Sequence, residues 1–81
     1  MQMPRLTYNK GADAAYIYLR EDAKVARTRN LDGARLIDYA DDGEPVGIEL
    51  LDVSEGVNLD DLPARDLIAS LLEQQHIKVF A

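Results

Sequence analysis

The sequence predicts an α+β fold: an antiparallel β-meander of about five strands followed by one C-terminal amphipathic helix packed on one face. Two observations support this prediction. Five short segments rich in β-branched and aromatic residues, or alternating in polarity, occupy the first two thirds of the chain between turn-forming residues. The last third instead carries apolar residues at helical spacing. The loops between the strands are too short for parallel crossovers, so we expect antiparallel neighbours.

The predicted strands cover residues 5–8, 14–19, 25–31, 34–39 and 46–51. Turn-forming runs separate them at residues 9–11, 32–33 and 41–43, and Glu21-Asp22 ends the second strand. Residues 25–31 are more polar than the other strands, which is typical of a strand at the edge of a sheet. The β-meander as a whole therefore extends over about residues 5–53.

The hairpin between the fourth and fifth strands has a predictable register. A three-residue loop at Asp41-Asp42-Gly43, with Gly43 in the left-handed conformation, is a common hairpin geometry. It places Leu36 opposite Ile48, Ala34 opposite Leu50, and Arg35 opposite Glu49. This register pairs apolar residues with apolar ones and a positive charge with a negative one, as neighbouring strands prefer.

The C-terminal third contains one helical stripe, formed by Ala64, Leu67, Ile68, Leu71 and Leu72. We predict a helix over about residues 62–75, with Asp61 as its N-cap and Pro63 in its first turn. Its stripe is expected to cover the sheet face that carries Val46, Ile48, Leu50, Leu36, Ile17 and Leu19. Residues 77–80 alternate like a short strand. At 81 residues, the chain is expected to form a single domain, residues 1–81.

Composition narrows the possible partners. Fifteen acidic residues outnumber nine basic ones, giving a net charge of -6, so we expect no nucleic acid partner and favour a basic protein. The sequence has no cysteine, which excludes disulfides and thiolate metal sites. It shows no long apolar run and no signal-peptide pattern, so we expect no membrane association and a cytoplasmic location.

An acidic turn is the first candidate for chemistry. The pattern Asp38-x-Ala40-x-Asp42-Gly43-x5-Glu49 differs at one position from a calcium-binding loop. However, alanine occupies the third ligand position and the flanking segments are strands. The preference of aspartate and glycine for tight turns is enough to explain the Asp-Asp-Gly sequence. A calcium-binding module through the Asp38–Glu49 hairpin is therefore an alternative rather than our main hypothesis.

The sequence offers little for catalysis. His76 is the sole histidine, and neither serine lies in a nucleophile motif. A histidine at the C-terminal end of a helix is more often explained by its favourable interaction with the negative end of the helix dipole than by a catalytic role. We therefore predict no catalytic residue, no cofactor and no metal ligand. A small enzyme that acts at a dimer interface stays open as an alternative.

The second face of the sheet is the predicted interaction surface. If Ile17 points towards the helix, Tyr16 and Tyr18 point away from it, and the hairpin register adds Ile37 and Tyr39. One helix cannot cover both faces. Tyrosine-rich patches are typical of protein interfaces. We therefore predict a non-enzymatic interaction module, most simply a homodimer, with Tyr16, Tyr18, Ile37 and Tyr39 in the interface.

The first 53 residues resemble a family of small uncharacterised bacterial proteins that is classed as a domain of unknown function. The residues that carry the resemblance are Tyr8, Asp13-Ala14-Ala15-Tyr16-Ile17, Asp38-Tyr39-Ala40-Asp41-Asp42-Gly43-Glu44 and Val46-Gly47-Ile48-Glu49-Leu50-Leu51. Ala15 and Ala40 depart from the family pattern, which has a larger apolar residue and often an aspartate at these positions. The resemblance implies a compact β-meander, a bacterial cytoplasmic origin, and by analogy an antitoxin-like companion role. It implies no activity.

Overall fold

The computed structural model describes residues 4–80. They form a five-stranded antiparallel sheet, one α-helix and a small parallel sheet of two strands. The predicted α+β class, with antiparallel strands followed by one C-terminal helix, is confirmed. The elements in chain order are β1 (Arg5–Asn9), β2 (Ala14–Tyr18), β3 (Arg27–Asp32), β4 (Arg35–Tyr39), β5 (Pro45–Leu51), a 3-10 helix (Val53–Glu55), β6 (Val57–Asn58), α1 (Arg65–Gln74) and β7 (Val79–Phe80).

The strand order of the large sheet is β1-β2-β5-β4-β3, which differs from the consecutive order of the predicted meander. β5 lies between β2 and β4, and it has more buried residues than any other strand of the sheet, as expected for a central strand. The polar β3 lies at the edge, as its sequence predicts. The segment after β2 passes the end of β5, where the backbone N–H groups of Leu19 and Arg20 donate to the Val46 carbonyl at 2.9 and 3.1 Å.

The β4–β5 hairpin follows the predicted register only beside its turn. Gly43 has a φ of 86°, and Tyr39 pairs with Pro45. A β-bulge then leaves Val46 as an extra residue, so that Asp38 pairs with Gly47. Beyond the bulge the predicted partners of residues 34–36 are wrong by one residue. Arg35 lies opposite Leu50, Leu36 opposite Glu49, and Ile37 opposite Ile48.

The core lies between α1 and one side of the sheet, which we call the inner face. Ile17, Ile37, Ile48 and Leu50 of the sheet are almost fully buried, together with residues of the C-terminal third. That second group comprises Val53, Val57, Leu59, Leu62, Ile68, Leu72 and Ile77. Because of the bulge, Ile37 replaces the predicted Leu36 on this face.

The helix is shorter than its sequence predicts. Its N-cap is Ala64, not Asp61, and no side chain caps its first turn. The backbone turns just before the helix, where the Leu62 N–H donates to the Leu59 carbonyl at 3.2 Å, and this turn buries both leucines. Within α1, Ile68 and Leu72 face the core, whereas Leu67 is 37% exposed.

The C-terminal residues return to the core. His76 adopts a left-handed conformation after α1, and the Ile77 N–H donates to the Leu72 carbonyl at 3.0 Å, closing a Schellman-type helix end. β7 then pairs in parallel with β6. Within residues 4–80, no helix is both long and apolar enough to cross a membrane.

Candidate functional site

The side of the sheet opposite α1, which we call the outer face, has no covering layer within residues 4–80. The helix and the two-stranded sheet both belong to the core on the inner face. Strand alternation and the observed register place one set of side chains on the outer face. This set comprises Arg5, Thr7, Asn9, Ala14, Tyr16, Tyr18, Thr28, Asn30, Leu36, Asp38, Gly47, Glu49 and Leu51.

Tyr16 reaches across the central strand to β4. It starts on β2, and its hydroxyl donates a hydrogen bond to Oδ2 of Asp38, two strands away. The ring lies over Gly47, where a Cβ atom would be 2.6 Å from Cζ of Tyr16. Thr28 of β3 donates to the other carboxylate oxygen of Asp38 at 2.6 Å. Side chains of three strands and the glycine of a fourth therefore form one connected cluster.

Tyr18 extends this cluster towards β1. Its ring centroid lies 4.7 Å from that of Tyr16, with an angle of 59° between the planes. The guanidinium of Arg5 lies over the Tyr18 ring, 4.2 Å from its centroid, and forms an ion pair of 2.7 Å with Glu21. Both rings are thus held by neighbours on either side. We call Tyr16 and Tyr18 the aromatic pair.

The electrostatics of the aromatic pair favour a neutral Tyr16. Burial raises the pKa of its hydroxyl well above the ordinary value of 10, and the hydrogen bond to the Asp38 carboxylate adds to this effect. The hydroxyl therefore keeps its proton and remains a hydrogen-bond donor at neutral pH. This arrangement holds the ring in place across β5.

A family profile for a protein of unknown function, DUF2283, matches residues 5–54. The chain belongs to the DUF2283 family. The match covers β1 to β5 and the first two residues of the 3-10 helix, so the aromatic pair, Gly47 and Asp38 all lie inside the family region. It ends before β6, α1 and β7. Neither the curated proteins nor the solved structures contain a match to this chain.

The structure divides the four predicted interface residues of this DUF2283 chain between two faces. Tyr16 and Tyr18 lie together on the outer face, as predicted. Ile37 is 1% exposed in the core, and Tyr39 packs against the core from the same inner side. The bulge at Val46 is the cause, because one extra residue reverses the faces of everything beyond it.

Three outer-face residues were missed by reasoning from the sequence. The sequence patterns predict Leu36 in the core and Asp38 in the acidic turn, and they give Gly47 no role of its own. The Pro-Val-Gly run of β5 was the available signal, because glycine inside a strand often marks a bulge or the close approach of another group. Both occur here.

Two carboxylates of the acidic hairpin of this DUF2283 chain are engaged by hydrogen-bond donors of the protein itself. Asp38 is engaged by Tyr16 and Thr28, whereas Asp42 accepts the Glu44 backbone N–H at 3.0 Å. That backbone hydrogen bond, with a smaller contribution from Arg20, lowers the pKa of Asp42. Within the part of the chain that the structure describes, no three His, Cys, Asp or Glu side chains are grouped to hold a metal.

Proposed function

We propose that this DUF2283 chain is a protein–protein interaction module that forms a homodimer through its outer face. The observation that carries the proposal is an uncovered sheet face with a preorganised aromatic pair at its centre. Held rings bind with little loss of side-chain entropy, which favours them as anchors of an interface. The proposal retains the expected cytoplasmic location, which suits a chain whose stability does not depend on disulfides.

The composition of the outer face supports this role. Tyr16, Tyr18, Leu36 and Leu51 are partly buried residues on its central strands. Thr7, Thr28 and Asn30 are exposed polar residues on the two edge strands. An apolar and aromatic centre with a polar rim is the usual arrangement of protein interfaces.

The charges of the outer face favour a second copy as its partner. Arg5 lies on the edge strand β1 and Glu49 on the central strand β5, so one face carries both signs. A two-fold symmetric pair brings the same surface to itself, and each copy then offers both a positive and a negative group to the other. Five strands spaced about 4.8 Å apart also give a face roughly 24 Å wide, which suits a small dimer interface.

The oligomeric mass in solution tests the proposal. At a concentration on the order of 0.1 mM, light scattering should give twice the 9.0 kDa mass of the chain. Leu36→Lys should reduce the mass to that of a monomer, because it places a long charged side chain where the proposed interface would bury an apolar one. Leu67→Lys is the matched control, since Leu67 is exposed on α1 and should leave the dimer intact.

Two results would contradict this proposal. A wild-type chain that stays monomeric would exclude self-association and leave a basic partner protein, such as the target of an antitoxin-like companion, as the occupant to be sought. A dimer that survives Leu36→Lys but not Leu67→Lys would place the interface on α1. Tyr39→Ser does not test the outer face, because Tyr39 lies on the inner side.

A further inference from the structure

The edge strand β3 presents an unpaired side to solvent. It pairs with β4 on one side only, because it is the last strand of the sheet. Residues 27–30 are all exposed. An edge of this kind offers backbone N–H and C=O groups that an extended peptide can pair with as an additional strand.

Two arginines give this edge a specific charge pattern. Arg27 and Arg29 lie opposite Tyr39 and Ile37 of β4, so they project from the same side of the sheet. The guanidinium of Arg27 lies 5.3 Å from the centroid of the Tyr39 ring, which orients it. Among residues 4–80 neither arginine forms an ion pair, whereas the protein as a whole has a net charge of -6.

The arginines discriminate between possible added strands. Like charges directly opposite each other are destabilising, so Arg27 and Arg29 disfavour pairing with a second β3 or with another basic strand. A strand with acidic residues at the facing positions gains two cross-strand charge pairs instead. Because side chains alternate along a strand, those acidic residues must be two positions apart.

We propose that β3 binds an extended acidic segment of a partner protein, with acidic residues at positions i and i+2, as a sixth strand of the sheet. The two acidic side chains lie opposite Arg27 and Arg29, and the residue between them lies on the side of Thr28. This site uses the edge of the sheet and not its outer face. It is therefore independent of the proposed homodimer.

Two capped peptides of identical composition test the spacing. The sequence Thr-Glu-Val-Glu-Thr-Val has its acidic residues at i and i+2, whereas Thr-Glu-Glu-Val-Thr-Val has them adjacent. Titrations monitored by backbone NMR should show about two- to fivefold tighter binding of the alternating peptide, because only it places both charges opposite the arginines. The largest shifts should occur in β3. Equal binding of both peptides, or no binding at peptide concentrations of about 1 mM, would overturn the proposal.

Protein variants test the residues. Arg27→Gln combined with Arg29→Gln should weaken binding of the alternating peptide about tenfold, the combined effect of two charge pairs. Arg65→Gln, which changes an exposed arginine on α1, should leave binding unchanged. Arg27→Glu with Arg29→Glu should bind the peptide in which both glutamates are replaced by lysine. Retained affinity in the double glutamine variant would overturn the proposal, as would tighter binding of a single-stranded oligonucleotide than of the peptide.

Discussion

At the scale of single residues, Gly47 has the clearest structural requirement. The Tyr16 ring occupies the space where any other residue would place its Cβ atom. Gly47 therefore allows Tyr16 to cross β5 and to donate its hydrogen bond to Asp38 on β4. The position of the aromatic pair on the outer face therefore depends on the absence of a side chain at Gly47.

Gly47→Ala should destabilise the fold. The added methyl group must displace the Tyr16 ring and break its hydrogen bond to Asp38, which should lower the free energy of unfolding by about 1–3 kcal/mol. Urea denaturation measures the change. Gly33→Ala is the control, because its Cβ atom would meet no atom within 4 Å, and its effect should stay within about 0.5 kcal/mol. Equal effects of the two substitutions would contradict the role of Gly47.

Tyr16→Phe should change how stability depends on alkaline pH. The pKa of Tyr16 is higher in the folded protein than its ordinary value of 10, so the unfolded chain loses this proton first. The contribution of Tyr16 is therefore complete below about pH 10 and is lost as the pH rises from there towards the folded-state pKa.

Unfolding free energies measured between about pH 9 and pH 11 should fall more steeply for the wild type than for Tyr16→Phe. Below this range the variant should be less stable by about 0.5–1.5 kcal/mol, because Asp38 loses one hydrogen bond. Parallel curves for the two proteins would show that the Tyr16 hydroxyl titrates alike in the folded and unfolded states.

At the scale of elements, Arg35 connects β4 to the chain that follows the sheet. It is the buried charged residue of the core, and its guanidinium donates to the carbonyls of Asn58 (3.0 Å) and Asp60. The same group forms an ion pair with Asp32 at 3.0 Å. The pKa of Asp32 is lowered, mainly by the hydrogen bond from the backbone N–H of Ala34 and to a smaller extent by the one from the Arg35 side chain.

Arg35→Ala should lower the free energy of unfolding by about 2–4 kcal/mol. It leaves two backbone carbonyls without their donor and removes a long side chain from the inner face. Thermal and urea denaturation measure the loss. Arg65→Ala provides the comparison, because Arg65 is exposed and forms no ion pair within the described residues. A similar small effect at both positions would contradict this role for Arg35.

At the scale of the whole molecule, the hydrophobic core contains residues from the DUF2283 region and residues that follow it in the chain. Ile17, Ile48 and Leu50 lie within residues 5–54, but Ile68 and Leu72, which bury them, belong to α1. One helix covers the inner face, and no element within residues 4–80 covers the outer face. The two proposed sites are also separable. Leu36→Lys should not alter peptide binding, and the β3 variants should not alter the mass in solution.

Much of this fold was predictable from local patterns. Turn residues separated five strands of the expected type, the polarity of residues 25–31 indicated an edge, and helical spacing located α1. Tyr16 and Tyr18 were assigned to the correct face because alternation along a single strand suffices for that. Ile37 and Tyr39 were not, because their faces depend on how one strand is registered against another.

By itself, the sequence determined the class of the fold, the strands and the helix, since these follow from turn chemistry and from periods of two and 3.6 residues. Only the tertiary structure decided the strand order, the bulge at Val46 and the contact of Tyr16 with Asp38. These features depend on packing between segments far apart in the chain. A single extra residue at the bulge exchanges which side chains of β4 point to the inner face and which to the outer face. No sequence pattern within one strand predicts this exchange.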